Sequence, residues 1–435
     1  MNTRAALIIA LLLAASFLAG YHVAIAAQSP KVLIEPGSFA EGYDYIVFVH
    51  NGIYYVKSQE GEIVLATTDA DEAIQYAVDN CPEWGAIYIA EGTYMIDSGI
   101  IVEKSMCIHG CGTLINARGE NQDTIIVGTS TIWVDYFEVK GLKFDCITEP
   151  TIPGDHIWMP YCRRALIEGI YSVKSGEECI SFYRGYECRV VNCYIGPVMT
   201  GINPALEGRN FVIANCIFNF TGAASATAIG NGAARSITNC YFFNCCGTNG
   251  LQNAIMSSCY IDVKGRLTTG VVFGSNATIV GCTIVGAEHG IGMRPEGASN
   301  VIITGCMILQ PLKHGIWLRY NATHVSITDC TIIDPGWDGI AITGFCEDVL
   351  IQSCYITQAS KGISIIYDYQ ANTSSYIITD NIIKSNGYGI YVDLPSGYYL
   401  VNSIITENVL ADNSSGNIVG DIDTATCVIA NNKEV

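Results

Sequence analysis

Charged side chains are scarce in this chain of 435 residues: 14% are Asp, Glu, Lys or Arg, and 22 basic residues face 41 acidic ones. No cluster of Lys and Arg occurs, which argues against a nucleic-acid partner, because phosphate binding needs such clusters. Long stretches of period near 3.6 are also lacking, so the helical repeats are excluded, and the spaced leucines of a leucine-rich repeat are missing. CxxC does not occur, which removes the common zinc-finger spacing. Beyond the N-terminal stretch there is no second apolar run of membrane-spanning length.

What is present is a repeat. Residues 281–355 hold three nearly identical units of period 24, each with a short run ending in Cys (ITGC, ITDC, IQSC) and a Gly-Ile phrase (HGIGM, HGIWL, DGIAI). The register extends to Cys193, Cys216, Cys240, Cys259, Cys282, Cys306, Cys330, Cys354, Asn381, Asn408 and Asn432, with Gly169 and Gly141 expected in the same slot upstream. Each unit carries three short alternating runs separated by Gly, Asn or Asp. Three strands per coil of about two dozen residues describe a parallel β-helix whose coils stack at about 4.8 Å. The reading is an all-β, right-handed parallel β-helix of about a dozen coils.

A residue type repeated at one point of every coil forms an internal column. Free Cys behaves there as a small buried hydrophobe, and parallel side chains are poorly oriented for disulfide closure. Asn at 381, 408 and 432 can hydrogen-bond its neighbour in the column and the turn backbone. Of the 19 cysteines, the off-column Cys162, Cys179, Cys188, Cys245, Cys246 and Cys346 are the disulfide candidates.

Taken in order, residues 1–27 resemble a secretory signal peptide: Arg4, an apolar run, and the small-x-small site Ala24-Ile25-Ala26. An uncleaved membrane anchor is the alternative. A secreted or cell-surface location follows, which the sequons at Asn219, Asn276, Asn321, Asn372 and Asn413 fit. The net charge of −19 suits a soluble surface protein, with divalent-cation binding, Ca2+ included, as the other reading.

Residues 31–66 contain YIVFVHNGIYYVK, whose Asn51-Gly52 marks a hairpin, and with EIVLATT they predict a small β-meander attached ahead of the solenoid, which takes 67–435. Asp69 or Asp71 can cap a helix with the apolar face Ala70, Ala73, Ile74, Ala77 and Val78, laid over the open end of the core. Near Val435 no capping helix is legible, so the last coil is expected to be covered by a second copy or to expose its edge.

DADEAIQYAVDN, then GAIYIAEGTYMI, then IHGCGTLI resemble the start of the pectate-lyase superfamily domain, and the later coils resemble its general right-handed β-helix repeat; together the likeness covers about residues 68 to 432. It implies fold more than activity, because the superfamily holds lyases, hydrolases, epimerases and non-catalytic proteins. It also implies that a polysaccharide lies beside the Gly-Ile strands.

Alternation along those strands turns Arg294, Trp317 and Arg319 outward, and the position before Gly forms a second column that includes Asp155, Glu178, His289, His314 and Asp338. His289, Arg294, Trp317 and Arg319 are therefore candidate substrate-binding residues, with His314 and Asp338 as acid/base. Glu177 and Glu178, in Gly-Glu-Glu-Cys-Ile-Ser, are similar to the Gly-Asp-Asp-Cys-Ile-Ala segment of polygalacturonases and are the alternative acids, or a site for a cation. The Gly-His-Gly and Arg-x-Lys of that family are missing here. The expected function is binding, with or without cleavage, of an extracellular acidic polysaccharide by lyase or hydrolase chemistry; the alternative is a non-catalytic envelope or adhesion solenoid.

Overall fold

The computed structural model describes residues 42–434, apart from 117–122, 147–153, 176–177, 198–199, 205–209, 221–226, 231–233, 264–266 and 367–372. The signal or anchor segment, Asn372 and Glu177 lie outside the described residues. Among those described, no helix is long and apolar enough to cross a membrane.

Among the described residues, sheets of 19, 15 and 14 strands, parallel but for the strands at the N-terminal end, run along the solenoid. A single coil shows how the sequence sets them. Ala298–Thr304 belongs to the pre-Cys sheet, Met307–Leu309 to the post-Cys sheet and Ile316–Leu318 to the Gly-Ile sheet. In each strand alternate residues are core: Val301, Ile303, Ile308, Ile316 and Leu318 are fully buried.

The corner between the first two strands explains the repeat. The residue before each column position has a left-handed backbone: Asn192 (φ 58°), Asn215 (55°), Gly281 (59°), Gly305 (62°), Asp329 (53°) and Asp380 (59°) among them. Asn, Asp and Gly tolerate that region, so they precede the Cys in coil after coil. Gly169 (φ 63°) and Gly141 (φ 74°) adopt this corner conformation themselves. Lys143, Tyr171 and Tyr194 pair in register, which sets the two glycines beside Asn192 and puts buried Leu142 and Ile170 in the Cys slot. The sequence alignment of those two coils is thus corrected by one residue.

The column cysteines are buried, and each thiol donates to the carbonyl two residues earlier, at 3.2 Å for Cys193 and up to 3.5 Å for Cys282 and Cys306. All 19 cysteines are free thiols. The disulfides expected at Cys162, Cys179, Cys188, Cys245, Cys246 and Cys346 are not formed; these side chains are buried as packing residues instead. Where the column turns to Asn it becomes an amide ladder: Asn381 Nδ2 donates to Asn408 Oδ1 and Asn408 Nδ2 to Asn432 Oδ1, each at 2.9 Å.

The Gly of the Gly-Ile phrase is set by stacking. A Cβ on Gly315 would stand 2.5 Å from the Gly339 carbonyl oxygen in the next coil and 2.5 Å from Ile332 Cγ2. No side chain fits there.

At the N-terminal end, Tyr45–His50, Ile53–Ser58 and Ile63–Thr67 form the antiparallel meander. Asn51 and Gly52 both have positive φ, as a tight hairpin requires. Tyr45–Val47 also pairs in parallel with Ile87–Ile89, so the meander continues the pre-Cys sheet and is not a separate attachment. Asp69 caps the helix Ala70–Asn80, whose Ala70, Ala73, Ile74, Ala77 and Val78 are all buried.

Candidate functional site

Two constellations lie on the outward side of the Gly-Ile sheet. The first is the one the sequence singles out, and the structure does gather most of it. The backbone N–H of Gly290 donates to His314 O and that of Gly315 to Asp338 O, so His289, His314 and Asp338 sit on consecutive coils. The two imidazoles stack with centroids 5.2 Å apart, and His289 stacks on the Trp317 indole at 4.2 Å. Arg319 lies over the same indole, its Cζ 3.6 Å from the ring centroid. Two groups this near one centroid must take opposite faces, so Trp317 has no face left for a sugar. Its Nε1 is engaged as well, donating to Thr343 Oγ1 at 2.8 Å.

The charges follow from the packing. His289 and His314 are buried, and desolvation lowers their pKa values to about 4 and about 3; the cationic Lys313 pushes both the same way. Both rings are therefore neutral at physiological pH. Among the described residues each Nδ1 is buried without a hydrogen-bond partner, and His314 Nδ1 stands 3.7 Å from Asp338 Oδ2, beyond hydrogen-bond reach. Burial raises the pKa of Asp338, against a 2.8 Å hydrogen bond from Ser364 Oγ. Arg294 turns away from Arg319: its guanidinium packs over Gly250 and donates to Asn249 O at 3.1 Å. The aromatic face that remains open belongs to Trp337, which is 51% exposed, with Lys313 Nζ 5.1 Å from its ring and His314 edge-on at 5.4 Å.

The second constellation begins six strands earlier in the same sheet, about 29 Å away at about 4.8 Å per coil. Strand Ile157–Cys162 pairs with Glu178–Gly185, which sets Trp158 opposite Ser181. Asp155 lies just before the first strand. Its Oδ1 accepts from the Glu178 backbone N–H at 3.0 Å and its Oδ2 from Ser181 Oγ. Burial raises the Asp155 pKa to about 8, and the Glu178 and Asp123 carboxylates add to the rise against the Ser181 hydrogen bond. It is a carboxyl that holds its proton at neutral pH. Glu178 is half-buried, and its Oε1 accepts from Asn203 Nδ2 at 2.7 Å.

Beside this pair, Trp158 and Tyr183 are 36% and 49% exposed. Tyr183 meets Tyr161 edge-on at 6.2 Å, and Arg184 lies 5.6 Å from the Tyr183 ring. Sequence reasoning named Glu178 but gave Asp155, Tyr183 and Asn203 no role, and it missed Trp337. One signal was available: Asp155-His156 occupies the same slot as Glu178-Cys179, one coil earlier.

Residues 269–433 match the family described as right handed beta helix region. Several solved structures resemble the chain. The A-module of the mannuronan C-5 epimerase AlgE6 of Azotobacter vinelandii is 12% identical over 84% of this chain and 95% of its own, with a TM-score of 0.43. The catalytic unit of a GH87 α-1,3-glucanase from Streptomyces thermodiastaticus is 12% identical over 83% of this chain and 67% of its own (TM-score 0.47). A tailspike protein of E. coli bacteriophage HK620 is 12% identical over 83% and 77% (TM-score 0.47). No curated protein matches the chain. With the family match on its C-terminal coils and the same strand register upstream, the protein is a right-handed parallel β-helix. At such identities the likeness is one of fold.

Proposed function

We propose that the protein binds a uronate-containing polysaccharide along the outward face of the Gly-Ile sheet and hydrolyses it at Asp155 and Glu178. The observation that carries this reading is the unequal carboxyl pair. Asp155 keeps a proton to about pH 8, while half-buried Glu178 is anchored by Asn203. One protonated and one accessible carboxyl are what acid/base cleavage of a glycosidic bond requires. Trp158 and Tyr183 offer aromatic faces to sugar rings, and Arg184 beside Tyr183 supplies a cation for a sugar carboxylate. Trp337 and Lys313 lie farther along the same sheet and would contact the other end of a long ligand.

The His314 and Asp338 cluster fits catalysis less well, because His314 and Asp338 stand 3.7 Å apart, beyond hydrogen-bond reach, and its tryptophan is covered on both faces. The test is incubation of the full chain with a panel of uronate and neutral polysaccharides, with and without calcium. New reducing ends without unsaturated ends are expected on a uronate polymer; neither product on any polymer would remove the enzyme reading and leave the non-catalytic solenoid.

A further inference from the structure

A separate cluster lies on the outward face of the pre-Cys sheet, in the first coils. We propose that Cys107, His109 and Glu138 bind a zinc ion. Cys107 and His109 are alternate residues of the strand Met106–Gly110, whose Met106 and Ile108 point into the core, so both side chains leave the same face. Glu138, in Phe137–Lys140, pairs directly with Cys107 in the next coil and points the same way between buried Phe137 and Val139. One donor atom from each of the three lies within 4.8 Å of the other two.

The donor types choose the metal. A thiolate, an imidazole and a carboxylate suit Zn2+, whereas Ca2+ and Mg2+ take oxygen ligands alone. Three protein ligands leave one tetrahedral position for water or an exogenous ligand.

Supporting groups surround the three. Tyr43 Oη is 3.1 Å from His109 Nδ1, so a proton on Nδ1 donated to this hydroxyl leaves the Nε2 lone pair facing Glu138. Tyr136 Oη donates to Glu138 Oε2, which fixes the carboxylate and leaves Oε1 for the ion. His109 Nε2 and Glu138 Oε1 are 2.7 Å apart, and an ion entering between them would open this to about 3.3 Å, the edge of a zinc tetrahedron. Lys140 Nζ is 2.9 Å from Glu138 Oε1 but also 3.3 Å from Glu168 Oε2, so the ammonium keeps a carboxylate partner when the ion takes its place. Binding releases the Cys107 thiol proton to solvent.

The test uses the full chain, stripped with a chelator and titrated with Co2+ as a spectroscopic stand-in. A thiolate-to-cobalt charge-transfer band in the near ultraviolet is expected, saturating at a single ion per chain and bleached by Zn2+. Cys107→Ser should abolish the band, and His109→Gln and Glu138→Gln should weaken binding at least about tenfold. Cys111→Ser should leave it intact. Alkylation of the unaltered protein, mapped by mass spectrometry, gives a second reading that needs no variant: Zn2+ should protect Cys107 selectively. Absence of the band and of this protection, or a band undiminished in folded Cys107→Ser, would overturn the assignment.

Discussion

Glu178→Gln is expected to lower turnover on a uronate polymer by about 10²- to 10⁴-fold with little change in KM, the loss that follows removal of one acid/base group. Asp155→Asn should be comparably damaging, and its pH profile separates the two roles. Asp155 is protonated below about pH 8 and ionised above it, so activity that needs its proton falls as pH rises through about 8. In Glu178→Gln the residual activity should keep an alkaline limb, moved to lower pH because the Glu178 charge no longer raises the Asp155 pKa, while in Asp155→Asn the limb should vanish. The substitution Asp155→Asn should move stability opposite to activity. The folded pKa of Asp155 lies above the unfolded value of about 3.9, so this carboxyl lowers stability progressively between about pH 4 and pH 8. Asp155→Asn is therefore expected to be more stable than the unaltered protein at pH 8, as measured by urea denaturation. Loss of activity accompanied by loss of stability would mean that Asp155 is only a structural hydrogen-bonding residue.

Asn408→Asp is expected to cost about 3 kcal/mol or more at pH 7, the scale of a buried charge without a partner. Asn408 is fully buried. Its Oδ1 accepts from the Asn381 backbone N–H at 3.1 Å and from Asn381 Nδ2 at 2.9 Å. Its Nδ2 faces only acceptors: Ile378 O at 2.9 Å, Thr406 O at 3.0 Å and Asn432 Oδ1 at 2.9 Å. A carboxylate oxygen there would meet three oxygens and no donor, and its folded pKa would rise. The charge's share of the cost then grows as pH rises from the unfolded value of about 3.9 toward the raised folded pKa and is lost again as pH falls back to about 3.9. A solenoid's stability is a sum over neighbouring coils, so hydrogen exchange should first accelerate in the strands around Ile378 and Ile405. Equal protection in the variant and the unaltered chain at pH 7 would show that the amide ladder holds nothing together.

The architecture was legible because it repeats. One Cys or Asn at one point of successive coils, preceded mostly by Asn, Asp or Gly, follows from one left-handed corner made again and again. The Gly of each Gly-Ile phrase follows from the carbonyl of the next coil. Gly141 and Gly169 misled the alignment because glycine serves equally as a corner and as a small column residue, and only strand pairing tells these apart.

The site was less legible for the same physical reason. Neighbours across coils are some two dozen residues apart in sequence, and alternation says which side of a strand a residue takes without saying what lies on top of it. Trp317 reads as an open platform in HGIWLR, yet His289 from the preceding coil and Arg319 from its own strand close both faces. Trp337 has no mark in the sequence, yet its ring is exposed. Asp155 becomes a proton-holding carboxyl through burial, to which the Glu178 carboxylate one coil on adds.

Affinity electrophoresis of the slowed variant Glu178→Gln through gels cast with a uronate polysaccharide, with and without the added double change Trp158→Ala/Tyr183→Ala, bears most directly on the claim that the ligand lies on this sheet. The single variant should be strongly retarded, and the aromatic changes should weaken binding at least about tenfold, or about 1.4 kcal/mol. Retardation that is absent throughout, or unchanged when both rings are removed, would contradict it.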